Sequence, residues 1–137
     1  MDVIINDLLK ELEEEPDINN VIIFDDMTAY LRDTHVKKLL NQLVYNRRHL
    51  HTSIYFLVQT YKSLEPSIRK LFSNIFLFKV SKHEINNIMD EIIEGHKNDI
   101  DAIIKLVFDK PYNYLFINTD SQRIFKNFDE IIFSDHI

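Results

Sequence analysis

Asp25 and Asp26 stand side by side directly after the apolar run Val21-Ile22-Ile23-Phe24. Two adjacent carboxylates at the tip of an apolar strand repel one another and lose hydration, a cost that a bound Mg²⁺ relieves. Two further apolar runs also end in polar residues. Ile54-Tyr55-Phe56-Leu57-Val58 leads into Gln59, and Ile75-Phe76-Leu77-Phe78 leads into Lys79. In open parallel sheets ligands bind beyond the carboxyl ends of the strands, so these are the positions where chemistry is expected. The structural alternatives are a strand-to-helix cap for Asp25-Asp26 and a backbone-satisfying amide for Gln59.

Charge is distributed unevenly along the 137 residues, whose formal net charge is −6. Residues 1–33 hold ten acids against two bases, whereas residues 34–64 hold five Lys or Arg, three His and no acid. An acid-free stretch in an acidic chain is where an anionic partner is sought, and Lys37, Lys38, Arg47, Arg48, His49 and Lys62 lie in it. Chance clustering on a solvated helix face is the alternative. His49 and His51, two apart before a strand, could share a face and bind zinc, but the sequence offers no third ligand beside them. Cysteine is absent, which excludes a disulfide scaffold and cysteine catalysis. The single glycine, Gly95, cannot make a complete glycine-rich phosphate loop, which needs several positions that only glycine occupies.

These residues need elements to hold them, and the hydrophobic pattern supplies a series. Ile5, Leu8, Leu9 and Leu12 fall at helical spacing, and Pro16 closes that leading helix within residues 1–15. The runs beginning at Val21, Ile54 and Ile75 have the look of strands buried on both faces of a parallel sheet. Between the first two, Val36, Leu39, Leu40, Leu43 and Val44 form a helix stripe, with Asp33 or Thr34 as its N-cap. A short helix is expected over residues 66–72, with Pro66 in its first turn. Ser81 and Glu84 read as a capping box before Ile85, Ile88, Met89, Ile92 and Ile93, with Gly95 as a left-handed C-cap. Ile100, Ile103, Ile104 and Val107 give a last helix, ended by Pro111. Residues 114–118 and 123–126 then form a hairpin or edge pair. The alternation of strands and helices predicts an α/β chain of one domain with a mainly parallel sheet, flanking helices and C-terminal edge strands.

One ordered set of elements is more specific than any of its parts. An apolar run ending in Asp25-Asp26 resembles a Walker B strand. Asn46-Arg47-Arg48-His49, the strand ending in Gln59, and Leu64-Glu65-Pro66-Ser67-Ile68-Arg69 follow it in that order. Together, over residues 21–79, they resemble the DNA-packaging ATPases of large DNA viruses, the poxvirus-type members of the FtsK/HerA superfamily of DNA pumps. The resemblance implies a P-loop, three-layer fold. It implies Asp25 as the acid that organises Mg²⁺ and Asp26 as the catalytic acid. Gln59 becomes the sensor of the γ-phosphate or its water, and Arg69 a candidate arginine finger for a neighbouring subunit. Arg47, Arg48 and His49 match an Arg-His element that could meet phosphate, DNA or the adjacent subunit, with Lys37 and Lys38 nearby. Mg²⁺ and ATP are the implied cofactors. The implied partners are double-stranded DNA and further copies in a ring, in the virion or the cytoplasmic virus factory.

The sequence departs from that family in one large respect. It contains no G-x-x-x-x-G-K-[ST] loop, whose backbone N–H groups, Lys and Ser/Thr cradle the phosphates. In the superfamily that loop follows a strand lying between the sensor strand and the next one. The expectation is therefore a carboxyl-terminal, Walker B half of a packaging ATPase, from a split or truncated gene and inactive unless a Walker A-bearing partner completes it. Two other classes stay open. One is a non-enzymatic module, derived from a decayed ATPase, that binds nucleic acid or protein through its basic segment. The other is a magnesium-dependent nuclease built on Asp25-Asp26, which lacks an evident third acid. Acids at the N-terminus, where a signal peptide carries bases, and no apolar run of about 18 residues predict a soluble, intracellular protein.

Overall fold

The computed structural model describes residues 1–93 and 97–134. The chain divides into two compact units, Met1–Leu71 and Phe72–Ile137, and the division falls inside the segment whose motifs run from 21 to 79.

The first unit is built on two parallel strands. Helix α1 (Asp2–Glu14) buries Ile5, Leu9 and Leu12, the stripe that the spacing predicts. Strand β1 (Asn20–Asp25) follows Pro16 and runs parallel to β2 (Thr52–Leu57), with Asn20 opposite Thr52 and Asp25 opposite Leu57. Helix α2 (Thr34–Asn46) makes the crossover between them, as a parallel connection requires. Its buried stripe is Val36, Leu39, Leu40, Leu43 and Val44. Asp33 is its N-cap, accepting from the backbone N–H groups of His35 and Val36 at 2.8 and 3.1 Å. Helix α3 (Pro66–Arg69) is a single turn with Pro at its start, where a missing N–H costs nothing.

Burial in β1 and β2 alternates instead of being continuous. The inner face carries the stacked rings of Phe24 and Phe56, whose centroids are 5.0 Å apart. On the outer face Val21, Ile23, Tyr55 and Leu57 keep 64%, 61%, 54% and 52% of their surface exposed. The expectation of burial on both faces is therefore corrected: β1 and β2 have the composition of a doubly covered sheet and the covering of a single layer. A run of apolar residues reports what a strand can bury, and the presence of a second layer is decided elsewhere.

The second unit is an antiparallel sheet of order β3–β4–β5–β6. Its strands are β3 (Asn74–Leu77), β4 (Leu115–Asn118), β5 (Arg123–Lys126) and the two-residue β6 (Asp129–Glu130). The expected final hairpin is β4–β5. Its turn is stapled by Asn118, whose Oδ1 accepts from the N–H and hydroxyl of Ser121. The third apolar run was expected in a mainly parallel sheet; among the described residues its ladder partner is antiparallel β4. The physical reason is the connection. Two helices in succession, α4 (Lys82–Ile92) and α5 (Ile100–Val107), stand between β3 and β4 where a parallel crossover uses one. Ser81 caps α4 by accepting from the Glu84 N–H at 3.2 Å. The C-cap expected at Gly95 lies outside the described residues.

One face of this sheet, with Ile75, Leu77, Leu115, Ile117 and Ile124, is buried. The other is aromatic: Phe76 stacks on Phe116 at 4.7 Å and Phe116 on Phe125 at 5.1 Å. Ion pairs Arg123–Glu130 and Lys126–Asp109 close its edge, at 3.0 and 2.8 Å. The Lys126 ammonium beside Asp109 holds that carboxyl below its ordinary range. No helix among the described residues is long and apolar enough to cross a membrane.

Candidate functional site

The carboxyl end of the parallel pair is built from three short segments. Asp25 is the last residue of β1, and Asp26 continues the ladder by one bond, its N–H donating to the Leu57 carbonyl at 3.2 Å. Asp26 then turns the chain with φ 50°, a left-handed conformation that Asp tolerates better than most residues. Met27 inserts into the core behind it, 5% exposed, and pins the turn. Both carboxylates are exposed, and neither has a hydrogen bond or ion pair among the described residues. Gln59, two residues beyond Leu57 at the end of the neighbouring strand, is also exposed with its amide unengaged. Because β1 and β2 are parallel and in register, Asp25, Asp26 and Gln59 share one end of the sheet.

Each acid can be compared with Asp33, eight residues after Asp25. Asp33 gives its carboxylate to two backbone N–H groups, which hold its pKa below the ordinary value. Asp25 and Asp26 have no such employment, so the cap reading fits Asp33 and leaves the twin acids available. Among the described residues there is no group of three or more His, Asp or Glu able to hold a metal. The zinc reading of His49 and His51 thus gains no third ligand, and the nuclease reading gains no third acid.

Arg69 ends α3 half-buried, with its guanidinium carbon 5.1 Å from the centroid of the buried Tyr61 ring. Its Nε and Nη1 atoms are buried. An arginine resting on an aromatic face gains about 0.5–2 kcal/mol there, so reaching another subunit requires it to leave that contact.

The Arg-His element lies at the opposite end of the sheet. Six residues of strand separate the turn before Thr52 from the tip at Leu57, about 20 Å at strand rise. No side chain from this turn spans that distance, so Arg47, Arg48 and His49 are not brought together with Asp25, Asp26 and Gln59. Arg47 works for the fold: Nη1 donates to the Val44 carbonyl at 2.7 Å and Nη2 to the Leu71 carbonyl at 3.2 Å. Lys37 is tied to Glu65 at 3.3 Å. Lys38, Arg48 and His49 are exposed and unengaged among the described residues. The charged residues that the sequence singles out here have neutral neighbours on the same face. His35, Gln42 and Tyr45 also face outward from α2, and the 3–4 spacing that found the buried stripe would have found this face too.

Comparison with known proteins adds one result. The family model described as "Poxvirus A32 protein" matches residues 3–136. No curated protein and no solved structure matches the chain significantly.

Proposed function

Because this chain belongs to the poxvirus A32 protein family, a family of viral packaging ATPases, we propose that it contributes the Walker B, sensor and arginine-finger part of an ATP-driven motor that moves double-stranded DNA. The observation that carries the reading is the pair Asp25 and Asp26, exposed and without internal partners among the described residues at the end of β1. Mg²⁺ takes one or two carboxylates and fills the rest of its octahedron with water and substrate phosphate oxygens. The donors at the tip of β1 fit that requirement. Asp25 would hold the ion, which when bound offsets charge on the triphosphate. Asp26 orients the attacking water and takes up its proton, and the Gln59 amide donates to the γ-phosphate or to that water. Arg69, offered by a neighbouring subunit of a ring, offsets charge developing on the transferred phosphoryl group.

The phosphate cradle comes from a Walker A-bearing chain or segment. The strand that precedes that loop in the superfamily lies beside the sensor strand, and among the described residues β2 pairs with β1 alone. The uncovered face of Val21, Ile23, Tyr55 and Leu57 offers the same partner apolar surface to cover, which would build the three-layer arrangement. By itself the chain has negligible ATPase activity, since carboxylates accelerate nothing until a phosphate is positioned beside them. The motor works where genomes are packaged, in the virus factory or the virion.

The test is complementation. Mixed with a Walker A-bearing segment of a packaging ATPase, the chain should support Mg²⁺-dependent ATP hydrolysis that Asp26→Asn abolishes. Robust turnover by the chain alone, sensitive to Asp26→Asn, would overturn the dependence on a partner. Absence of turnover in every mixture would overturn the motor reading.

A further inference from the structure

We infer that the outward face of α2 and the turn after it dock the phosphate backbone of duplex DNA. The inference deepens the proposed reading, on which it rests for duplex DNA as the polyanion, by naming the surface that meets the translocated strand. His35, Lys38, Gln42 and Tyr45 recur at intervals of three and four along α2, opposite its buried stripe, and Arg48 and His49 extend the row into the turn. All six are exposed, and none of their side chains has a hydrogen bond or ion pair among the described residues. Lys, Arg, Gln and Tyr are side chains that proteins commonly point at phosphate oxygens. Residues 34–64 contain no acid; of the acids that flank them, Asp33 caps α2 beside His35 and Glu65 pairs with Lys37, off the row. The row is about 20 Å long over the 13 residues of α2, close to the rise of six base pairs.

The turn is also built to hold its shape. Arg47 fastens it from beneath through two carbonyls. The Leu50 N–H returns to the Asn46 carbonyl at 3.0 Å, the Thr52 N–H to Arg47 at 2.8 Å, and the Asn20 N–H to His51 at 3.0 Å. Leu50 is 7% exposed and anchors the middle. Arg48 and His49 are thus presented from fixed backbone, which lowers the ordering cost of binding. Asp25 and Asp26 lie about 20 Å along β2 from Arg48 and His49, more than twice the Debye length of about 8 Å at physiological salt, so their repulsion is screened at that end of the row. A single-strand platform stacks several bases on large aromatic rings, and of these the row has Tyr45 alone, its other rings being the small imidazoles of His35 and His49. That favours a duplex.

The experiment measures anisotropy of a labelled mixed-sequence DNA duplex with the whole chain across a salt series starting at about 50 mM. Two fixed cations on the row, Lys38 and Arg48, set an expected slope of log K against log salt of about −2. Lys38→Glu with Arg48→Glu should weaken binding at least about tenfold and bring the slope close to zero. Lys38→Arg with Arg48→Lys should restore both, and Lys62→Glu, a cation off the row, should change little. Circular dichroism of each variant checks that the fold is kept. Unchanged affinity in the double charge reversal overturns the inference. So does tighter binding of a single strand or an RNA duplex, or equal competition by polyglutamate. Charge reversal that cuts duplex binding, beside complemented mixtures that never hydrolyse ATP, supports this surface while the motor reading falls. Hydrolysis in a mixture whose duplex affinity ignores charge reversal overturns this surface and leaves the motor reading standing.

Discussion

The two ends of the β1–β2 sheet carry opposite charge, and each contains both engaged and unengaged members of its sign. At the carboxyl end Asp25 and Asp26 are unengaged among the described residues, while Asp33, a few residues on, caps α2 with two accepted bonds. At the amino end Arg48 and His49 are unengaged, while Arg47 between them and α2 is held by two carbonyls. Nearby residues of identical type therefore divide into those that hold the fold and those whose side chains have no partner among the described residues. A charge run in a sequence does not make that division. Hydrogen-bond geometry does, because a group already donating to a carbonyl has little free energy left to offer a ligand.

The comparison breaks most visibly at the acidic end. In a complemented mixture Asp26→Asn should lower ATP turnover by about 10²–10⁴, the range for losing a general base, with nucleotide binding retained. Steady-state hydrolysis and filter binding measure the two. A change in the shared core should instead damage both ends together. Leu43 is 0% exposed, and Leu43→Ala should cost about 2–5 kcal/mol in urea unfolding through the cavity it leaves.

Arg47 sharpens the contrast at the basic end alone. Arg47→Met removes charged donors from two carbonyls and should cost about 1.5–3 kcal/mol, with faster hydrogen exchange at the Thr52 amide and no change at Asp26. Arg47→Lys should recover only part of that, since one ammonium does not reproduce a fork that spans two acceptors.

The smallest effect belongs to Asp33. Its folded-state pKa is depressed because the Val36 and His35 N–H groups donate to the ionised form. A depressed carboxyl contributes stability above its unfolded value, near 4, and loses it as pH falls through the lower folded value. Helicity followed by circular dichroism should therefore weaken slightly as the solution is acidified below about pH 4. Asp33→Asn keeps a capping oxygen and should flatten that dependence.

Local signals were well reported by the sequence. The α1 and α2 stripes, the Asp33 and Ser81 caps, the start of α3 at Pro66 and the β4–β5 hairpin all depend on neighbours within a few residues, where periodicity and turn chemistry operate. The bare outer face of β1–β2 was illegible, because Val21 and Ile23 read alike whether or not a layer covers them. The antiparallel pairing of β3 was illegible too, since it depends on how two helices return the chain. At the site, the sequence could point to Asp25, Asp26 and Gln59 from strand ends alone. It could not tell Arg47 from Arg48, whose difference is a carbonyl 24 residues away.

What the amino-acid order determined here is an inventory: twin acids behind an apolar strand, an acid-free basic stretch, and a single glycine, too few for a complete glycine-rich loop in these 137 residues. Tertiary structure decided the allocation. It put the twin acids and Arg48 at opposite ends of one parallel pair and tied Arg47's charge to the fold's own carbonyls. It also left an apolar sheet face uncovered. The reason is physical: residue type sets which interactions a side chain can make, and only the packed backbone fixes which partners are within reach.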